Sequence, residues 1–272
     1  MKADRAWLLG LMLPCAAVFL VFFVIPLTRL LLIGGGGELG WSAYSAAFTE
    51  PRYLRSMLST VALSALVTLT TLVISAIAGV FLARHEFLGR KVLTAMLTLP
   101  LAFPGVVIGF MVIMLGGRQG LIPMATELLV GERLVFAYSM VGLFVGYIYF
   151  SIPRTILAVM AAAEKLDPQL VEAARSLGAS HWRILRDVLI PGLQPALLAA
   201  GAICFATSMG AFGTAFTLAT RIDVLPMIIY TEFTLQANIA MAAALSFVLG
   251  LLTWAALAFA RTLTGNSVAA AA

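Results

Sequence analysis

The sequence predicts an all-α, polytopic membrane protein of about six transmembrane helices with both termini cytoplasmic, and three observations predict it. Hydrophobic residues make up 62% of the 272 and charged residues 11%, with a mean hydropathy of +1.06. So apolar a chain cannot hide its side chains in one soluble core and must place long segments in lipid. The apolar residues also come in uncharged runs of roughly 20, the length that crosses a hydrocarbon core of about 30 Å. Finally, the basic residues gather in alternate intervals between those runs, which sets an orientation.

In chain order, Trp7 to Thr28 is the first uncharged run, preceded by Lys2 and Arg5. A secretory signal would have a shorter apolar run and a small-residue cleavage site, so this segment reads as an uncleaved span. Pro14 and Pro26 are expected to bend or end it, with Arg29 near the outer interface. Gly34 to Gly37 then opens an external segment containing Trp41 and Tyr44. The second span, roughly Met57 to Leu82, leads into a compact cytoplasmic turn with Arg84, His85, Glu86, Arg90 and Lys91. Val92 to Leu115 returns outward, its Pro100, Pro104 and Gly105 predicting a distorted middle that borders protein or a cavity. Gly116 to Arg133 reads as an external loop. Leu134 to about Phe150 crosses inward until Pro153 and Arg154 interrupt it, and Thr155 to Ala163 continues as helix. The fifth span, Gly192 to Thr220, is uncharged, Arg221 and Asp223 mark the outside, and the sixth runs from about Ala237 to Ala260 before Arg261 and an alanine-rich tail.

Charge counting supports this orientation. The cytoplasmic side receives Lys2, Arg5, Arg84, Arg90, Lys91, Arg154, Lys165, Arg175, Arg183, Arg186 and Arg261, which is 11 of the 17 basic residues, while the 12 acidic residues divide six and six. The whole formal excess of +5 therefore falls inside. With the charges placed this way, the basic balance answers to the membrane and not to nucleic acid.

Between the fourth and fifth spans lies the polar stretch from Asp167 to Pro191. Asp167 before Pro168 is a good helix start, because the carboxylate accepts from first-turn N–H groups and proline at the first position forfeits no bond. The helix is expected to reach about Leu177, with Gly178 supplying a left-handed stop and Ser180 capping a second short helix from His181 to Leu189. Leu170, Ala173, Ala174 and Leu177 share one face of the first helix, where Glu172 and Arg175 are spaced to pair. Trp182, Leu185 and Leu189 form an apolar ridge on the second. A solvated connection is the plainest reading of any amphipathic loop, but this one carries a pattern: Glu172-Ala173-Ala174, three residues, Gly178, nine residues, then Val188-Leu189-Ile190-Pro191.

That pattern resembles the EAA loop of the membrane subunits of type I binding-protein-dependent ABC importers, with Val188 and Ile190 as mild apolar departures. The resemblance extends from the second span through the sixth. It implies that residues 167–191 of a single transmembrane domain, 1–272, form a cytoplasmic coupling loop. Glu172, Ala173, Ala174, Gly178, Trp182, Leu185 and Pro191 would then contact a cytoplasmic ABC ATPase dimer. The implied partners also include a second homologous permease subunit, identical or different, an extracytoplasmic solute-binding protein and the lipid of the cell inner membrane, with no nucleic acid.

The residues offer no chemistry of their own. No Gly-x-x-x-x-Gly-Lys-Ser/Thr loop is present in the sequence, so ATP hydrolysis is expected on another chain. Cys15 and Cys204 lack redox or zinc spacing and read as buried structural thiols. His85 and His181 have no ligand-spaced neighbours, and Ser208 near Gly210 does not form a nucleophile elbow. No catalytic residue, metal site or cofactor is therefore expected. An ion-coupled secondary transporter would carry acids within its spans, which these lack, Glu232 standing just before the sixth. Gly105-x-x-x-Gly109 and Gly142-x-x-x-Gly146 are hints of close helix packing.

For the path, the segment from Ala206 to Thr214 combines hydroxyls, an aromatic ring and small residues. The candidates are Ser208, Met209, Phe212 and Thr214, weighed evenly against back-bonding of the hydroxyls to the preceding turn. Subfamily resemblance ranks a polyamine such as spermidine or putrescine first as solute, with a phosphonate such as 2-aminoethylphosphonate or ferric ion as alternatives. Ala211 stands where polyamine members are expected to carry an acid.

Overall fold

The computed structural model describes residues 2–218 and 223–264. Its helices are α1 (Lys2–Phe19), α2 (Ile25–Gly34), α3 (Ser42–Thr49), α4 (Pro51–Arg84), α5 (Arg90–Thr98), α6 (Gly105–Gly116), α7 (Leu121–Val130), α8 (Met140–Lys165), α9 (Pro168–Ser176), α10 (His181–Ile184), α11 (Ile190–Met209), α12 (Gly213–Leu218), α13 (Leu225–Tyr230) and α14 (Ile239–Thr264). Among the described residues six segments are long and apolar enough to cross a membrane: Gly10–Gly34, Pro51–Arg84, Gly105–Val130, Met140–Lys165, His181–Met209 and Ile239–Thr262. Arg221, expected as an outer boundary charge, and the alanine-rich tail lie outside the described residues. The chain divides into two compact units, Met1–Met57 with Ile228–Leu251 and Leu58–Met227 with Leu252–Ala272.

In the first unit, Pro26 neither ends nor breaks the opening helix. A π-helical turn, Leu20–Val24, intervenes, and its i−5 bonding puts Pro26 at the start of a fresh helical segment, where a missing N–H costs no bond. The helix consequently runs on to Gly34. The Tyr44 hydroxyl donates to the Leu31 carbonyl at 2.7 Å, satisfying an acceptor in the last turn of α2. Burial lifts this phenol above its ordinary pKa, so it remains a neutral donor. Its ring stacks on Trp41 and meets Phe247 edge-on, each at 5.9 Å. Farther along the unit, Glu232 is fully buried, accepting from the Tyr53 hydroxyl at 3.0 Å and from Arg52 at 3.3 Å. With its amide turned to suit both neighbours, Gln236 donates to the second Glu232 oxygen at 3.0 Å and accepts from Arg52 at 3.1 Å. The buried carboxylate is thus paired and hydrogen-bonded on both oxygens, as a charge withdrawn from water must be.

The second unit is built on a core of Leu63 and Val67 from α4, Val112 from α6, Leu143 and Tyr147 from α8, Cys204 from α11, and Ala215 and Leu218 from α12. Glycines let the backbones approach at two places. A Cβ on Gly109 would come within 2.5 Å of Thr217, and one on Gly79 within 2.9 Å of Val159.

Several expected boundaries move for identifiable reasons. The expected span Val92–Leu115 is broken in two: α5 passes through a 3₁₀ turn, Leu99–Ala102, to extended backbone at Phe103 and Pro104, and α6 restarts at Gly105. The membrane-length segment is accordingly Gly105–Val130, and the expected outer loop contains α7. The fourth span, α8, begins later than expected, at Met140, where the Ser139 hydroxyl accepts from the Val141 N–H at 3.2 Å. It then runs unbroken through Pro153 to Lys165, with Ser151, Pro153, Thr155 and Ile156 all buried. Packing on both sides of the proline holds a helix that local propensity would interrupt. In the other direction, the expected fifth span to Thr220 ends early, at Met209. The sixth spans Ile239–Thr264. Of the two thiols, Cys204 is buried as expected, but Cys15 is exposed.

Candidate functional site

Two features of the second unit stand out, a projecting polar segment and a cavity, and one helix joins them. The segment starts with Asp167, whose carboxylate accepts from the Gln169 N–H at 2.9 Å, and with Pro168 in the first turn of α9. The helix stops where Gly178 takes φ +75°. Gly178 N–H donates to the Arg175 carbonyl at 2.9 Å and Ala179 N–H to the Ala174 carbonyl at 3.0 Å, the paired bonds of a left-handed helix stop. Ser180 then accepts from the Arg183 N–H at 3.4 Å to start α10.

The apolar residues of this segment are left uncovered. Leu177 is 88% exposed, Trp182 69% and Leu170 54%. Glu172, Ala173 and Pro191 are exposed, Leu185 is partly so, and Ala174 is half-buried. The expected pairing of Glu172 with Arg175 is not among the ion pairs of the described residues; the Glu172 backbone carbonyl instead accepts from the Ser176 hydroxyl at 3.0 Å. The base of the segment is pinned. Arg84 donates to the Leu166 carbonyl at 3.3 Å, Arg90 pairs with Glu164 at 3.0 Å, and a Cβ on Gly192 would lie 2.6 Å from the Leu166 side chain.

The second short helix, expected to end at Leu189, does not end. From α10 the chain passes through a π-helical turn, Leu185–Leu189, directly into α11, so that His181–Met209 is one continuous 29-residue rod. At 1.5 Å per residue the rod is about 43 Å long. Its first turn carries Trp182 and its last turn carries Ser208.

The cavity lies at that far end and measures about 380 Å³. One wall is α8, with Tyr147, Phe150, Ser151 and Arg154; another is the end of α11, with Ala206, Thr207 and Ser208. Its floor is unwound backbone. The break at Gly210 to Phe212 meets the restart of α6, where Thr214 Oγ1 donates to the Gly105 carbonyl at 2.9 Å and the Tyr147 hydroxyl donates to the Ala211 carbonyl. Non-helical backbone at membrane depth is tolerated where it lines such a space.

The structure therefore brings Ser208 and Thr214 to the cavity, while Met209 is buried in packing at 1% exposure and Phe212, with Phe216 at 5.3 Å, lies outside the lining. The hydroxyls behave differently from one another. Thr207 bonds back to the Ile203 and Cys204 carbonyls and Thr214 bonds across the break, but Ser208 Oγ, on a residue 3% exposed, has no hydrogen-bond partner.

The expected interruption at Pro153, which puts Arg154 at the end of a helix, does not occur. Along the unbroken α8 this arginine sits about 21 Å from the first residue and about 16 Å from the last, at mid-helix. Its guanidinium lies 5.7 Å from the centre of the Phe150 ring and makes no ion pair among the described residues. Without it the cytoplasmic count is 10 basic residues against six acidic, so the bias persists. A charge inside a membrane-length helix is itself a functional signal, one hidden here by the expected break.

Membrane-length helices, a cavity set at two broken helices and an exposed segment joined to it by one rod describe a multi-pass membrane protein. The sequence profile described as "Binding-protein-dependent transport system inner membrane component" matches residues 75–266, and the chain belongs to that family of inner-membrane permease subunits of ABC importers. Among its relatives, the putative 2-aminoethylphosphonate transport system permease protein PhnU of Salmonella typhi is 27% identical over 267 residues, covering 94% of this chain and 92% of that one. The molybdenum transport system permease protein ModB of Escherichia coli is 32% identical over 193 residues, covering 67% and 80%. The sulfate transport system permease protein CysT of Escherichia coli is 29% identical over 202 residues, covering 74% and 71%. A chain in the crystal structure of a bacterial alginate ABC transporter, in complex with an alginate pentasaccharide-bound periplasmic protein, superposes with a TM-score of 0.82 at 20% identity, covering 97% of both chains. That likeness concerns the fold.

Proposed function

We propose that this permease is a single transmembrane domain that imports a small oxyanion of the phosphonate class. In this reading it works with a cytoplasmic ATPase dimer, a second permease subunit and an extracytoplasmic solute-binding protein. The observation that carries the substrate class is the cavity wall, which includes the cation of Arg154 and, among the described lining residues, no carboxylate. A spermidine-like polycation or a ferric ion would meet a like charge with no acid to offset it, whereas an oxyanion is attracted. The names of the similar permeases point the same way: phosphonate, molybdenum and sulfate systems.

Coupling follows from the rod. Residues 167–191 present Leu170, Leu177 and Trp182 to the cytoplasm, the side the charge count assigns them, and an ATPase cleft would cover these side chains. Leu185 and Pro191 continue the contact along the start of the rod, while Ala173 and Ala174 are small enough for close approach. A helix resists bending, so displacement of Trp182 on ATPase closure tilts or shifts Ser208 at the other end and changes the cavity wall without any side-chain relay.

The test is reconstitution of the chain with its ATPase, second permease and binding protein in sealed vesicles. Uptake of labelled 2-aminoethylphosphonate, phosphate, sulfate and spermidine is then measured. ATP-dependent uptake of an oxyanion is expected; uptake of spermidine alone would overturn the substrate class.

A further inference from the structure

Resting on the oxyanion reading above, we propose that Arg154 and Ser208 form a transit-binding site for a tetrahedral oxyanion, with the Phe150 ring as the resting place of the guanidinium between passages. Four observations lead there. Arg154 lies at the middle of a membrane-length helix and is exposed where it lines the cavity, and a charge so placed is a functional signal. Among the described residues it has no carboxylate to neutralise it, only the face of Phe150 at 5.7 Å. Ser208, on the facing helix, buries a hydroxyl that has no partner, and such a group is expected to be satisfied. Both line one cavity of about 380 Å³, within the range of small-ligand sites.

The two groups suit one kind of ligand. A guanidinium offers two parallel N–H donors matched to two oxygens of a phosphonate, phosphate or sulfate group. Ser208, whose hydroxyl is shielded in this structure, would add an O–H donor for a third oxygen out of that plane once movement of its helix uncovers it. A planar carboxylate could occupy the fork but would have no such oxygen for the serine. Ser208 has no hydrogen bond to give up on ligand arrival, and Arg154 gives up only a cation–π contact, which is weaker than a bidentate charge-assisted pair. With one cation and one hydroxyl, the site holds an anion weakly enough to release it, as transit requires.

The rod gives the site its timing. Ser208 belongs to the last turn of the helix that begins at the coupling segment, whereas Arg154 belongs to α8. Movement of the rod changes the separation of the two donors, so binding strength would follow the state of the ATPase.

The experiment uses the full reconstituted importer and three variants. Arg154→Gln is expected to lower the uptake rate of the transported oxyanion about tenfold or more, the worth of a charge-assisted hydrogen bond, while binding-protein-stimulated ATP hydrolysis is retained. Arg154→Lys should fall between wild type and Gln, since it keeps the charge and loses the fork. Ser208→Ala removes a hydroxyl that bonds nothing in the fold, so assembly and thermal stability should be unchanged while uptake falls a few-fold.

Wild-type uptake in both Arg154→Gln and Ser208→Ala would overturn the site and leave the oxyanion reading intact. Loss of assembly in both Arg154 variants, with Ser208→Ala transporting normally, would also overturn it, by making the arginine a structural residue. If the wild-type importer itself takes up spermidine and no oxyanion, the substrate reading fails first and the site with it.

Discussion

Replacing Gly178 tests whether the projecting segment must hold one shape to transmit force. The glycine sits at φ +75°, and a Cβ built on it would meet nothing within 4 Å, so any penalty is conformational and not a clash. For alanine in the left-handed region that penalty is about 1 kcal/mol, and about 2 kcal/mol for a β-branched valine. Asparagine tolerates the region and should lose less. A penalty of about 1 kcal/mol lowers the population of the docking shape roughly fivefold relative to its competitors. The paired bonds from Gly178 to Arg175 and from Ala179 to Ala174 are what that population preserves.

The effect is visible only when docking is not saturated. The assay is therefore half-maximal stimulation of ATP hydrolysis, titrating detergent-solubilised permease variants with ATPase at fixed binding protein. The apparent affinity should rank Gly, then Asn, then Ala, then Val, with Ala shifted about fivefold. Thermal unfolding of the membrane-spanning part should not move. If Gly178→Val titrates like wild type, the left-handed stop does not position the docking surface and the rod is driven from somewhere else.

Other expectations follow from the same structure. Ala174→Trp, at a half-buried position beside exposed Ala173, should abolish stimulated ATP hydrolysis while expression and membrane insertion remain normal by quantitative blotting. Thr214→Val removes the 2.9 Å bond to the Gly105 carbonyl and should cost about 1 kcal/mol, read as a lowered unfolding temperature in detergent. Gly109→Leu, which drives a side chain into Thr217 from 2.5 Å, should do more damage than Gly250→Leu, where a Cβ meets nothing within 4 Å. In the Glu232 cluster, Arg52→Met should destabilise more than Glu232→Gln. The first leaves a fully buried carboxylate without its cation; the second leaves only a half-exposed arginine unpaired, and the same unfolding measurement ranks them.

Much of the protein was legible from residue order alone, for reasons that are local. Membrane spans announce themselves because lipid tolerates only apolar side chains and internally bonded backbone, so length and hydropathy suffice. The caps at Asp167, Gly178 and Ser180 were readable because each acts within four residues of itself, and the structure has all three. The Glu172 to Pro191 pattern was readable as a surface because its apolar residues interrupt a polar stretch too short to bury them.

What only the tertiary structure decided was which prolines and glycines break a helix. Pro153 and Pro104 look alike in sequence, yet α8 passes through the first and the chain unwinds at the second. Buried neighbours on both sides keep α8 helical through Pro153, whereas the chain at the second restarts at Gly105, which lines the cavity and whose carbonyl accepts from Thr214. The same distinction moved Arg154 from a cytoplasmic end to mid-helix and turned a supposed short helix at His181 into the head of a 29-residue rod. Local sequence states the cost of interrupting a helix, but the contacts that offset that cost come from residues such as Thr214 and Tyr147, tens of positions away.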